Sequence, residues 1–197
     1  MSSTSVQMQA PVTTSIRTTA TARTVALAAL AIGTVSSIAF ACIAVLMTVS
    51  NETAKDLSFH HTGDYWYTGI GIPTALSCIA LLFAVRALQR NVRPRLTMAG
   101  CVVNAVALCL LTVMLAVSLA TGSEARWGGM YIVATLATFV GHSLFAAGSW
   151  RVGLVPRPML AVWPLVWLIG AFAAQGATPV ILAAFYAGIG VLVARRA

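Results

Sequence analysis

The residues whose types and spacing could do chemistry in this chain fall into two groups. The first lies on an apolar segment near residue 140. Thr135, Thr138, His142 and Ser149 are spaced so that, on a helix, they share one face. His142 sits about 12 Å along such a helix from Trp150, at 1.5 Å per residue. Asn104, on the preceding apolar segment, sits about 9 Å in from Met98, so the two side chains reach a similar depth. A polar side chain in hydrocarbon marks a substrate or proton site by default. The alternative is structural, an Asn–His hydrogen bond joining two packed helices.

The second group is the stretch Ser50–Asp64, which holds Glu52, Asp56, His60, His61 and Asp64. If its first part is helical, Glu52, Asp56 and His60 fall on one face. Imidazole and carboxylate are ligands suited to Zn, Cu or Ni, and they can also serve as acid and base. The spacing matches no established metal motif, so whether a metal binds stays open. Asp56, His60, His61 and Asp64 are the candidates for an outer-loop sensor or metal site. The plain alternative is a hydrated loop whose aromatic end anchors the next segment.

No catalytic residue can be assigned. The sequence contains no P-loop, no GxGxxG after a strand, no GxSxG and no other cofactor motif, so no cofactor is expected. Cys42, Cys78, Cys101 and Cys109 all fall in apolar segments without a CxxC pair. They read as small packing residues rather than as a disulfide or zinc framework.

The elements that must position these groups follow from composition. Of the 197 residues, 59% are hydrophobic and 8% charged, and the mean hydropathy is +0.91. Soluble domains carry about 25% charged residues, and disorder requires low hydrophobicity with high charge. Both classes are therefore excluded, leaving an all-α, polytopic transmembrane helical bundle. A span needs roughly 17–25 apolar residues. Six segments qualify: 24–49, 66–88, 98–120, 129–150, 159–175 and 179–194. The last two are short and meet at a Gly176-Ala177-Thr178 turn, with Pro179 opening the sixth. Fusing them would give five spans, but Gly176 and Pro179 are strong breakers. Pro73 and Pro164 should kink or loosen spans two and five. Residues 1–23, rich in Ser and Thr and free of acids, read as a mobile cytoplasmic tail.

The charges orient the bundle. With six spans both termini share a side. Arg17, Arg23, Arg86, Arg90, Arg93, Arg95, Arg151, Arg157, Arg195 and Arg196 all lie on that side, whereas Lys55 and Arg126 lie on the other. All four acids, Glu52, Asp56, Asp64 and Glu124, join the second group. The positive-inside rule then places both termini in the cytoplasm and the chain in the cell membrane. Tyr65, Trp66, Tyr67, Trp127, Tyr131 and Trp150 fall at span ends, where amphipathic rings favour the headgroup level. The basic residues flank spans, so they read as topology signals and contacts for the lipid bilayer, not for nucleic acid. Small residues at four-residue spacing, Ala29, Gly33, Ser37 and Ala41 in span one and Ala184 and Gly188 in span six, would allow close packing within the bundle or in a homodimer.

The segment Gly141–Gly170, GHSLFAAGSWRVGLVPRPMLAVWPLVWLIG, combines an LF pair with an Arg-x-Gly-Leu-Val-Pro-Arg turn between two spans. It resembles small six-span integral membrane proteins of actinobacterial type, a largely uncharacterised group. The resemblance implies a multi-pass membrane protein and no particular activity. In size and layout the chain is also similar to membrane anti-sigma regulators. The sequence supports a non-enzymatic sensing, regulatory or accessory protein with a cytoplasmic protein partner. The alternatives are a small transporter or efflux component with a path along Asn104, Thr138 and His142, and a membrane enzyme acting on a lipid or isoprenoid.

Overall fold

The computed structural model describes residues 12–50, 58–89, 94–124, 127–151, 154–172 and 177–196. These residues form an all-helical bundle: α1 (Val12–Val49), α2 (Thr62–Leu88), α3 (Pro94–Thr121), α4 (Gly128–Ser149), α5 (Arg157–Trp167) and α6 (Pro179–Arg196). A π-helical turn, Leu168–Phe172, continues α5. Four helices, α1 to α4, are long and apolar enough to cross a membrane; α5 with its π turn and α6 are shorter apolar helices.

Each helix packs on the next in the chain, and α6 closes the ring against α1 and the π turn. Contacts at the helix ends define two poles. At the basic pole, the Arg23 guanidinium donates to the Ala194 carbonyl at 2.8 Å, Ser149 donates to Gln89 at 2.8 Å, and Arg157 reaches the Trp150 carbonyl. At the acidic pole, Thr68 donates to Glu124. There Ser58 also pairs with Ser123, and the Phe59 amide donates to the Gly122 carbonyl at 2.8 Å. Gly122 leaves α3 with φ +64°, the left-handed conformation in which a glycine costs least.

Polarity across the bundle differs from that of a water-soluble one: large apolar side chains lie outside as well as inside, and several polar ones are buried. Val35 and Leu46 are each 67% exposed, while Asn104, Ser118 and Thr138 are fully buried. An apolar solvent favours this arrangement, because buried polar groups then serve as links between helices. Ala29, Ser37 and Ala41 of the α1 stripe are buried, and the Tyr186 ring of α6 fills the notch at Gly33. The α1 stripe is thus used inside the bundle, whereas Ala184 of α6 faces outward.

A close helix approach joins α3 and α4. A Cβ on Gly100 would lie 2.5 Å from the Phe145 amide, and one on Gly141 would lie 2.5 Å from the Asn104 side chain. Only glycine admits backbones this close.

The first helix extends beyond the expected span, and the fifth loosens after its proline as expected. α1 begins at Val12, well before residue 24, so part of the expected tail is helical. Its 38 residues extend about 57 Å, more than a bilayer core of about 30 Å, and the Arg23–Ala194 contact ties the extension to the end of α6. In the fifth segment, Pro164 cannot donate a backbone hydrogen bond. The regular helix ends at Trp167 and the chain continues as the π turn. Pro73, by contrast, is accommodated within an unbroken α2.

Candidate functional site

The polar face on α4 does face the bundle interior. Thr138 is fully buried and His142 nearly so, because that face meets α2, α3 and α5 together. His142 reaches across to α2, where its Nε2 lies 3.4 Å from Cys78 Sγ. Its Nδ1 lies 2.8 Å from the Thr138 carbonyl. The ring is stacked on Trp167, with centroids 5.5 Å apart and planes 24° from parallel, and Trp163 lies beside it at 6.1 Å. Both ring nitrogens are engaged and two indoles cover the ring.

Asn104 is not the partner of His142. Its amide nitrogen donates to the Gly100 carbonyl at 3.0 Å, and its Oδ1 is buried without a hydrogen bond. The side chain lies against Gly141, one residue before His142. The two helices come close because of those glycines, and the depths match, yet the side chains bond elsewhere. Thr135 and Thr138 return their hydroxyls to the carbonyls of Tyr131 at 2.7 Å and Ala134 at 2.6 Å. This is common for Thr within apolar helices.

Of the loop candidates, Glu52 and Asp56 lie outside the described residues. Asp64 is buried and accepts the backbone N–H groups of His60 and His61 through Oδ2, each at 2.9 Å. It thus satisfies amides at the start of α2, which also benefits from a negative charge there. Among the described residues no group of three or more His, Cys, Asp or Glu is placed to hold a metal ion.

The prominent concavity is one that sequence reasoning missed. A cavity of about 560 Å³ opens near the acidic pole between α1, α2, α3, α4 and the end of α5. Its wall is chiefly apolar and aromatic: Phe40, Tyr67, Leu111, Leu115, Tyr131 and Trp167 contribute. Trp167 also carries His142 stacked on it, so the indole separates the cavity from the imidazole. The π turn supplies Leu168 and Ala171; π turns inside helices recur at functional sites.

Polar groups in the wall are few. The Thr74 hydroxyl donates to the Ile70 carbonyl at 2.9 Å and lies 3.0 Å from the Ser36 hydroxyl, and Thr135 is likewise committed. That leaves the mouth, where Thr68 donates to Glu124 Oε1 at 3.0 Å. The Tyr131 hydroxyl is buried there without a hydrogen bond. Burial raises the Glu124 carboxyl above its usual range; the Thr68 hydrogen bond opposes that shift, and the nearby Asp64 charge adds to it. Among the described residues that line the cavity, Glu124 is the acid and none is Lys or Arg. In the sequence it reads only as a topology charge. The signal that could have marked it is its place between two aromatic span ends, Tyr65-Trp66-Tyr67 and Trp127/Tyr131.

Compared with known proteins, the chain matches no family model, no curated protein and no solved structure.

Proposed function

We propose that the protein is a non-enzymatic multi-pass protein of the cytoplasmic membrane that takes a small amphipathic molecule into this cavity as the input to a sensing, regulatory or accessory role. The observation that carries this reading is the cavity itself. Ligand sites are typically concave, mostly apolar and about 300–1,000 Å³, with a few placed polar groups. The space near the acidic pole meets that description. His142, the residue best suited to proton transfer, is sealed behind Trp167, which favours binding over acid–base chemistry.

All six helices cross the membrane in this reading, with both termini in the cytoplasm. The distribution of arginines between the two poles supports that orientation. The cavity then opens toward the outside. α5 with its π turn is the shortest span, and a locally thinned bilayer or a tilt of its neighbours accommodates it. The arginine-rich face engages anionic lipid and a cytoplasmic protein partner, in keeping with the resemblance to actinobacterial six-span proteins and the layout of membrane anti-sigma regulators.

The test is affinity purification of the full chain from native membranes, with mass spectrometry of what accompanies it. A bound small molecule that is lost in Gly71→Leu, whose side chain would enter the cavity beside Leu115, supports the reading. A wild-type protein carrying no small molecule overturns it.

A second reading, transport, is favoured by Pro164 and the π turn, which put a loosened helix segment in the cavity wall. For transport, the Trp167–His142 barrier would have to open toward the basic pole. Flux in proteoliposomes distinguishes the two.

A further inference from the structure

The chemistry of the cavity mouth specifies the charge of its occupant. We propose that the cavity selects a lipophilic monovalent cation, with its charge beside Glu124 and its apolar body between the aromatic walls. This inference rests on the ligand-binding reading above and adds a substrate class to it.

Three observations converge. The first is electrostatic. Glu124 lines the cavity, and the buried Asp64 is near enough to act on it. Among the described residues no Lys or Arg lines the wall to balance them; Lys55 and Arg126 lie outside the described residues. A carboxylate in a mostly apolar space is costly unless paired, and a cation entering the cavity supplies a partner. An anion would meet two like charges.

The second is the hydrogen-bonding inventory. The Thr74 and Thr135 hydroxyls are spent on carbonyls, and Thr68 is spent on Glu124. Among the described residues the wall therefore offers the Glu124 acceptor and the Tyr131 hydroxyl, which can accept as well as donate. An anionic headgroup needs donors, whereas a cation needs none.

The third is the aromatic lining. Phe40 and Tyr67 pack at a 4.5 Å centroid separation and 56°, and both line the cavity with Tyr131 and Trp167. Ring faces attract cations, more strongly where water is excluded. Tyr67, Tyr131 and Glu124 all line this one cavity.

The test uses two probes of closely matched size and shape and opposite charge, tetraphenylphosphonium and tetraphenylborate. Equilibrium dialysis of each against the full chain in detergent, with protein-free micelles as blank, gives saturable binding. The expected result is saturable binding of the phosphonium, with Kd at least tenfold higher in Glu124→Gln, and no saturable binding of the borate. A wild-type pH series keeps the proposal testable should Glu124→Gln fail to fold. The phosphonium has no titrating proton, so its affinity should fall as pH is lowered and Glu124 protonates. The groups facing Glu124 are Thr68, Tyr67 and Asp64 from α2 and Tyr131 from α4. The tyrosines stay neutral across an acid series, and the same series on Asp64→Asn, which keeps an acceptor oxygen for the His60 and His61 amides, separates Asp64. Equal affinity for both ions, or phosphonium binding unaffected by both Glu124→Gln and pH, overturns the charge selection but leaves the cavity as a ligand site. Absence of phosphonium binding also overturns it. The native-membrane purification then decides separately whether the cavity holds a neutral molecule or nothing.

Discussion

The Thr68 hydroxyl on α2 donates a 3.0 Å hydrogen bond to Glu124 Oε1 in the turn between α3 and α4. This contact closes one side of the cavity mouth and holds the carboxylate at the edge of an apolar space. It also opposes the effect of burial, because a hydrogen bond to the charged form favours that form. Thr68→Val removes the donor and keeps the shape. Glu124 should then protonate at a still higher pH, and thermal stability at pH 7 should fall by about 1.5–3 kcal/mol, the usual range for a hydrogen bond to a charged group. Denaturation of Thr68→Val and of the Thr68→Val/Glu124→Gln pair would check this. The loss should be largely absent when Glu124 is already Gln.

The same carboxylate sets a pH dependence of stability. Its folded-state pKa is raised by burial, so between the unfolded and folded values the folded protein holds the proton more tightly. Unfolding free energy in that window should rise as pH falls, and the penalty for the charged form should be fully present above the folded pKa. Other groups titrate in the same range, so the readout is the difference between wild type and Glu124→Gln. Wild type should gain stability relative to the variant as pH is lowered from neutral through the folded value to the ordinary carboxylate range; a constant difference would contradict this.

How much of this was legible in the sequence depended on whether the information was local. The apolar runs located the helices, and the turn before Pro179 was visible in Gly176 and Pro179 themselves. The buried face carrying Thr138 and His142 followed from helical spacing. The partners of His142 did not, because Cys78 and Trp167 come from helices whose placement only the assembled ring decides. Asn104 illustrates the same limit: matching depth brought it to the right helix pair, but Gly100 and Gly141 let the backbones approach and its amide turned to its own helix. The cavity was hidden for a related reason. It is a space between helices, and Glu124 in its wall also satisfied a topology rule. The second polar group, Asp64, has a local role that spacing allowed but did not single out, satisfying the amides of His60 and His61.

That role predicts a cost. Asp64→Ala should destabilise the protein by about 0.5–2 kcal/mol, the range for loss of a helix N-terminal cap, and free the segment before α2. Chelator treatment of the wild type should leave the unfolding temperature unchanged, since Asp64 is engaged by backbone amides. A chelator-dependent drop reversed by added zinc would instead point to metal ligation involving Glu52 or Asp56.

The glycines at the α3–α4 contact make a contrasting pair with those at the start of α4. Gly141→Ala puts a methyl group 2.5 Å from the Asn104 amide nitrogen and 2.9 Å from its backbone nitrogen. The helices must separate, and overpacking of this kind typically costs about 1–3 kcal/mol. Gly129→Ala meets nothing within 4 Å and should be neutral or slightly stabilising, since alanine is the better helix former by at most about 1 kcal/mol. Thermal unfolding in one detergent ranks the two variants.

His142 provides the sharpest separation of structure from function. Its ring joins α2, α4 and α5 through Cys78, Thr138 and Trp167, but Trp167 stands between it and the cavity. His142→Phe keeps a ring on the indole and removes the polar contacts. Stability should drop by about 1–3 kcal/mol, the cost of leaving buried polar groups unsatisfied. The affinity of the folded variant for a cavity ligand should stay within about threefold of wild type, below the tenfold that 1.4 kcal/mol represents. Unfolding and dialysis on the same preparation measure both. If ligand affinity collapses while stability is preserved, His142 belongs to the binding site, and the path through Trp167 toward the basic pole that transport requires becomes the better account.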